Sequence, residues 1–337
     1  MKILITGASG FLGKYVVPEA LRQGYEVQAL VRPQTDVTQF PWHQHPNLEW
    51  IRWDLSVKGA QLEALQKTDA VIHLAAVKMG SFQEQWQGTV VATENLLEKM
   101  AKAQVWRLIF ISTFSVYDYL QLKADSLLDE QSPLEEHPEN RDGYAQTKLL
   151  QENLVRQFEQ NNQAKVTILR PGMIYGRESL WNAFLGVELG KNRWLKVGGQ
   201  AILPITYVEN CAEAILATVS SEVAIGQTIN IVDDDLPTQN QYIQQLLKRT
   251  DSPPKFFPIS WSAMKTISHV AEWIHQVILR GKGPLPGILT PARLYARFNP
   301  LKYSNTCARQ LLNWQPRYTL EEALERSYCS RDLVGEL

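Results

Sequence analysis

Short apolar runs rich in β-branched residues alternate with longer stretches of helical periodicity through the first half of the chain, the pattern of βαβ units that build a parallel sheet. Strands are predicted at Lys2–Thr6, Glu26–Val31, Leu48–Trp53, Ala70–Leu74, Arg107–Ser112 and Lys165–Leu169, with helices at Phe11–Gln23, Gly59–Gln66, Gln83–Ala103 and Gly143–Asn161. Four of these strands are nearly continuous apolar runs, as expected where helices cover both faces of a sheet. The fold class that follows is α/β, a Rossmann-type doubly wound parallel sheet.

The alternation breaks down after Arg170. A short apolar segment Ile202–Val208 leads into a helix predicted at Asn210–Ser220, a strand at Gln227–Val232, a helix near Thr238–Arg249 and a closing helix at Leu320–Asp332. Residues 1–170 are therefore expected to form a nucleotide-binding domain. Residues 171–337 are expected to form mainly a smaller α/β substrate domain, with about 202–232 rejoining the first sheet. Trp261, Met264, Ile267, Ala271, Ile274 and Ile278 recur at spacings of three and four, one apolar stripe of a helix. A packed core or cap helix is the expectation; a lipophilic substrate wall and a peripheral membrane contact are the alternatives.

Composition narrows the class of protein. Of 337 residues 45% are hydrophobic and 20% charged, which excludes a disordered chain, and a net charge of −1 supplies no field for a phosphate backbone. No nucleic-acid partner is expected. Cys211, Cys307 and Cys329 form no C-x-x-C pair, so neither a disulfide framework nor a metal site is predicted. The first apolar run ends in glycine after a few residues, unlike a secretory signal, and no uncharged run approaches a membrane span. A cytoplasmic protein is expected.

The strand Lys2–Thr6 ends in Gly7-Ala8-Ser9-Gly10-Phe11-Leu12-Gly13 and opens a helix. Gly7 permits the tight turn, Gly10 lets backbone approach a pyrophosphate, and Gly13 lets the helix pack on the strand. The pyrophosphate would sit on the amides of the helix N-terminus. At the end of the second strand, where an NAD site wants a carboxylate, the chain has Val31-Arg32. An arginine there suits a 2′-phosphate, so NADP is favoured over NAD. Asp54 either accepts from the adenine amino group or caps the next helix.

Tyr144 and Lys148 lie four residues apart at the start of a predicted helix, and so share a face. Phe110-Ile111-Ser112-Thr113-Phe114-Ser115-Val116-Tyr117 ends the fifth strand, where chemistry gathers in open α/β sheets. With the glycine turn, His73-Leu74-Ala75-Ala76, Thr93-Glu94-Asn95-Leu96-Leu97, Arg170-Pro171-Gly172-Met173-Ile174-Tyr175-Gly176 and Tyr207-Val208-Glu209-Asn210, the chain resembles the extended short-chain dehydrogenase/reductase superfamily along nearly its whole length. The resemblance implies an NAD(P)-dependent enzyme in which Thr113, Tyr144 and Lys148 are catalytic, with Ser112 the fallback for Thr113. It implies cofactor contacts from Gly7, Ser9, Gly10, Phe11, Leu12, Gly13, Arg32, Asp54, Leu55, Leu74, Ala75, Ala76 and Pro171, as well as Tyr144 and Lys148. Phe114, Met173 and Tyr207 are the implied substrate contacts. His73 is expected to be structural rather than a base, and a homodimer is the expectation for assembly.

Two positions depart from the family pattern. Thr89 stands where an asparagine often supports a water or proton relay, and Asp118 replaces the glycine that commonly follows Val-Tyr. Met173 replaces the asparagine of nucleotide-sugar enzymes and offers packing rather than a hydrogen-bond pair. The Arg-Pro-Gly-x-Ile-Tyr-Gly form looks more like the branch of 3-beta-hydroxysteroid dehydrogenases and dihydroflavonol reductases. The reading is hydride transfer to or from a ketone or secondary alcohol of an apolar small molecule. The alternatives are a nucleotide-sugar epimerase or dehydratase holding NAD, with Arg177 and Arg193 placed to meet a diphosphate, and a non-catalytic nucleotide-binding regulator.

Overall fold

Alternate residues of the first strand point into different cores, which is the physical reason this chain needs helices on both sides. In β1 (Lys2–Thr6), Ile3 and Ile5 join one buried cluster and Leu4 joins the other. The structure is a computed structural model, and residues 1–58, 65–280, 282–283 and 285–334 are described. Residues 59–64, within the helix expected at Gly59–Gln66, lie outside them.

From β1 the chain runs through α1 (Gly13–Arg22), β2 (Glu26–Val31), β3 (Leu48–Arg52) and β4 (Ala70–His73). The helix predicted at Gln83–Ala103 begins as α2 (Phe82–Gln85), passes through a π-helical stretch Trp86–Val91 and continues as α3 (Ala92–Ala103). Next come β5 (Arg107–Ile111), the short β6 (Leu127–Leu128), α4 (Gly143–Asn162), β7 (Lys165–Pro171) and β8 (Met173–Tyr175). Asp142 caps α4 by accepting from the Ala145 amide at 2.9 Å, which fixes the first turn on which Tyr144 rides.

The remaining elements are β9 (Val187–Gly190), β10 (Arg193–Val197), β11 (Ile205–Tyr207), α5 (Val208–Ala217), β12 (Thr228–Ile231), α6 (Gln239–Leu247), β13 (Lys255–Ile259), α7 (Trp261–Val277), α8 (Pro291–Phe298), β14 (Lys302–Tyr303), α9 (Thr306–Leu312) and α10 (Leu320–Tyr328). Seven strands form one parallel sheet in the order β12-β7-β5-β4-β1-β2-β3. The order reverses direction between β1 and β4, so a crevice opens beyond their C-terminal ends. β12 returns to this sheet beside β7, and β11 pairs with β8.

A buried ion pair ties α4 to the sheet. Glu152 accepts from Arg170 at 2.5 Å, from Arg156 at 2.8 Å and from the Ser112 hydroxyl at 2.6 Å. Burial pushes the Glu152 carboxyl up, but the bonds and charge of Arg170 with the Ser112 bond outweigh it and hold the group below the usual range.

The apolar stripe of 261–278 forms a helix as predicted, but its packing is not that of a core helix. Met264 is 3% exposed and packs with Val197, Leu294 and Phe298, whereas Ile267, Ile274 and Ile278 face outward. Among the described residues no helix is long and apolar enough to cross a membrane, and no cluster of metal-ligating side chains occurs.

Candidate active site

The glycine turn meets β4 at the crevice. Gly7 has φ +68°, and a Cβ there would stand 3.0 Å from the Ala75 amide nitrogen. A Cβ on Gly13 would lie 2.3 Å from the Gly7 carbonyl oxygen, so this glycine is required for α1 to start where it does. Gly10 is exposed, and its missing side chain leaves the turn open to an incoming group.

Beside this turn lies a cleft of about 360 Å³, large enough for a nucleotide. It brings together Gly7, Ser9, Gly10, Arg32, Asp54, Leu55, Ala75 and Ala76 from the expected cofactor set. Trp53, Ser56, Val77 and Gly88, which sequence reasoning did not single out, line it too. Phe11 instead packs edge-on against Tyr15 at 6.0 Å, Leu12 is the N-cap residue of α1, and Pro171 is buried at the end of β7. Leu74 is packed against the core on one side of the sheet.

One Asp54 oxygen is already engaged in a local turn. Oδ1 accepts from the Ser56 amide at 2.9 Å and the Ser56 hydroxyl at 2.7 Å. These bonds, led by the hydroxyl and helped by the charge of Arg32, hold its carboxyl below the ordinary range against partial burial. Arg32 itself is exposed at the end of β2.

Where β5 ends and α4 begins, the structure brings the Thr113 and Tyr144 hydroxyls near each other, and Thr113 Oγ1 itself accepts from the Ser115 amide at 3.2 Å. Ser112 points elsewhere and donates to Glu152, so the register favours Thr113 over its neighbour. Burial pushes the Tyr144 phenol up to about 12, with the nearby Thr113 hydroxyl opposing and the Asp142 charge assisting. Lys148 lies one turn along α4, 2% exposed, with its ammonium 4.6 Å over the Phe110 ring. Burial brings it down to about 7 against the pull of Glu152.

Lys148 is held by two acceptors, the Ile111 carbonyl at 2.6 Å and the Gln151 side-chain oxygen at 2.5 Å. The Gln151 amide nitrogen donates to Thr93 Oγ1 at 2.7 Å and the Ala75 carbonyl at 3.1 Å, and lies 3.2 Å from His73 Nε2. His73 Nδ1 is 2.7 Å from Thr6 Oγ1. Burial, then the Lys148 charge, drives the imidazole down to about 3, so it is neutral and its two nitrogens serve packing bonds, as expected of a structural histidine.

Gln151, which motif reading missed, is the residue that ties Lys148 to Thr93 and Ala75. The signal was present: a glutamine three residues after Lys148, on a helical face that otherwise turns inward. Thr89 does not reach this network through its hydroxyl, which accepts from the Val77 amide at 2.9 Å, but its carbonyl accepts from Thr93 at 2.6 Å. Asp118 shapes its own loop by accepting from the Leu120 amide and the Gln121 side chain.

The expected substrate contacts fare differently. Met173 is partly buried on β8. Tyr207 is fully buried, donates to Glu209 at 2.8 Å and packs between Tyr175 and Tyr318, so it is a core residue rather than a lining one. Phe114 is likewise covered, edge-on to Tyr117 and stacked on Tyr303 in a satellite core. Each is held by its own aromatic cluster, Tyr207 with Tyr175 and Tyr318 and Phe114 with Tyr117 and Tyr303, which turns the ring into a core. Arg177 pairs with Asp332 and is occupied there, whereas Arg193 is exposed on β10.

Comparison with known proteins bears on this arrangement. A profile of the NAD dependent epimerase/dehydratase family matches residues 3–231. The chain is 28% identical to the 2-alkyl-3-oxoalkanoate reductase of Stenotrophomonas maltophilia, covering 98% of this chain and 99% of that protein. It is 26% identical to a decarboxylating sterol-4-alpha-carboxylate 3-dehydrogenase of Candida albicans, covering 96% and 95%. The solved UDP-glucuronic acid 4-epimerase of Bacillus cereus, in complex with NAD, superposes with a TM-score of 0.72 at 22% identity over 98% of each chain.

Proposed function

Because the chain belongs to the NAD dependent epimerase/dehydratase family, we propose that it is an NAD(P)-dependent oxidoreductase that reduces a ketone of an apolar small molecule, or oxidises the matching secondary alcohol. The observation that carries this reading is the placement of Tyr144 beside Thr113, one helical turn from buried Lys148. It stands at the end of the sheet where the glycine turn opens.

The residues present fit a dinucleotide: Gly7 and Gly13 sit where a Cβ would collide, Gly10 leaves the turn open, and Arg32 lies on the same cleft. Gly7, Ser9 and Gly10 would hold the pyrophosphate, and Arg32 a 2′-phosphate, so NADP is the preferred form. When bound, the nicotinamide supplies or accepts the hydride. Thr113 and Tyr144 would grip the substrate oxygen between two hydroxyls. In reduction the oxygen takes the Tyr144 proton as the carbon gains hydride, and solvent returns a proton to Tyr144. A phenol pushed up to about 12 keeps its proton at neutral pH, which suits the reductive direction. Lys148 would steady Tyr144 and the nicotinamide ribose.

The substrate class rests on Met173 and on Arg177, whose guanidinium is bound by Asp332 and therefore not free to meet a diphosphate. The two relatives whose names specify a 3-oxoalkanoate and a sterol carboxylate point the same way. The test is loss of NADPH or NADH absorbance with long-chain 2-alkyl-3-oxo acids and 3-ketosteroids, beside chromatographic product analysis of UDP- and dTDP-sugars, whose epimerisation or dehydration consumes no cofactor overall. Turnover of an apolar ketone is the expected result; turnover of nucleotide sugars alone would replace this reading by the epimerase one.

A further inference from the structure

The outer side of α7 is an apolar surface that none of the described residues covers. At 3.6 residues per turn, Ile267, Val270, Trp273, Ile274, Val277 and the adjoining Ile278 fall on an arc of roughly 140°. All six are exposed, Trp273 by 57% and Ile278 by 62%. The inward edge is separate, with Met264 and Ser268 packed toward α8. An amphipathic helix normally turns its apolar arc to the core. Here the arc is turned to the outside.

Charge says what the arc faces. Residues 252–320 contain nine Lys and Arg and a single acidic residue, Glu272, in a chain whose net charge is −1. On α7 and the turn beyond it His269, Arg280 and Lys282 border the apolar arc, all exposed. We propose that this face docks the protein on a bilayer containing anionic phospholipid, with α7 lying in the interfacial plane. An apolar face, a tryptophan and a basic flank are the features of such helices. A second copy of the chain is a poorer occupant. A 17-residue helix offers about 25 Å by 10 Å, or roughly 250 Å², against about 800 Å² per partner in a stable dimer.

The position of α7 gives docking a use. α8 packs on α7, and its Arg293 donates to the Arg141 carbonyl at 3.0 Å, three residues before Tyr144. A substrate dissolved in the bilayer would thus enter close to the site. That advantage rests on the apolar-substrate reading, whereas docking does not.

The test is sedimentation of the full chain with vesicles of phosphatidylcholine alone or mixed with phosphatidylglycerol. Wild type is expected to pellet with the anionic vesicles. Arg280→Glu/Lys282→Glu should lower that partitioning by about fivefold for each basic residue lost, and more through repulsion. Ile267→Ser/Val270→Ser/Ile274→Ser should abolish it at an unchanged melting temperature, since all three side chains are exposed. Failure of wild type to pellet with anionic vesicles overturns the proposal. So does a wild-type dimer that becomes monomeric in the serine variant without ever binding vesicles, which assigns the face to a second copy. Neither result depends on turnover, so the oxidoreductase reading stands or falls separately.

Discussion

The Lys148 ammonium donates to the Gln151 side-chain oxygen at 2.5 Å, and the other end of that amide is tied to Thr93 and the Ala75 carbonyl. The lysine is thereby linked to the strand-end residues that border the cofactor cleft, and Gln151 acts as a positioning residue for it. Gln151→Leu keeps the bulk but leaves a buried ammonium one acceptor short and takes from Thr93 the Gln151 donor, leaving it to His73. The expected result is a fall in kcat of about tenfold, equivalent to about 1.4 kcal/mol. Gln151→Glu places a negative charge against Lys148 and should raise its pKa from about 7, moving the corresponding limb of the pH–rate profile upward. A merely structural glutamine would alter the melting temperature of both variants and leave the pH profile where it was.

Removing the Tyr144 hydroxyl tests the chemistry itself. Tyr144→Phe retains the ring and the α4 N-terminal turn and removes only the hydroxyl beside Thr113. Turnover should fall by about 10² to 10⁴, the range of a general acid. The Kd for NADPH, measured by fluorescence titration, should stay within a factor of about two, because the hydroxyl is assigned to the substrate oxygen rather than the cofactor. Wild-type turnover in this variant would remove Tyr144 from the mechanism.

The fold was legible where one periodicity ruled a whole segment. β1, β2 and α4 fall within a residue of expectation because continuous apolar runs and a capped helix admit few alternatives. The π-helical stretch Trp86–Val91 was hidden inside a correctly placed helix, since one extra residue per turn hardly disturbs the hydrophobic pattern. Thr113, Tyr144 and Lys148 were expected from the family pattern at a strand end and a helix face, and the structure places Tyr144 beside Thr113 with Lys148 one turn along α4. Gln151 was not, because a polar residue facing inward from a helix looks in sequence like any surface glutamine. Phe114 and Tyr207 failed for the converse reason: aromatic neighbours of a site carry no mark of which side of the backbone they take. The stripe on α7 was seen, but periodicity reports that a face is apolar and not what it meets.

The buried pair Glu152–Arg170 sets an acid limit on stability. Glu152 has a folded-state pKa below its unfolded value of about 4.3. Its contribution is therefore fully present above that value and is lost as pH falls through the folded-state pKa. Glu152→Gln leaves Arg170 buried without its counter-charge, which costs roughly 3 to 5 kcal/mol at pH 7. Thermal melts of both proteins from pH 7 downward should show the gap narrowing below about pH 4, as protonation of wild-type Glu152 abolishes the same pair. A gap that stays constant to pH 3 would mean that the variant acts through packing alone.

The proposed preference for NADP rests on Arg32 at the end of β2. Its guanidinium lies on the same cleft as Gly7, Ser9 and Asp54, where the second strand of a dinucleotide fold meets the adenosine ribose. The position that would carry a carboxylate for a ribose diol carries a cation instead, and the nearby Asp54 has one oxygen committed to Ser56. Arg32→Ala should therefore weaken NADPH binding by roughly 1.5 to 3 kcal/mol, one to two powers of ten, with little change for NADH. Arg32→Asp goes further, since a carboxylate repels the 2′-phosphate and accepts from the 2′-hydroxyl, so the preference should invert toward NADH. Calorimetric titration of both cofactors against the three proteins decides the matter. Equal losses for NADPH and NADH in Arg32→Ala would place the 2′-position away from Arg32 and leave the chain without a basis for preferring the phosphorylated cofactor.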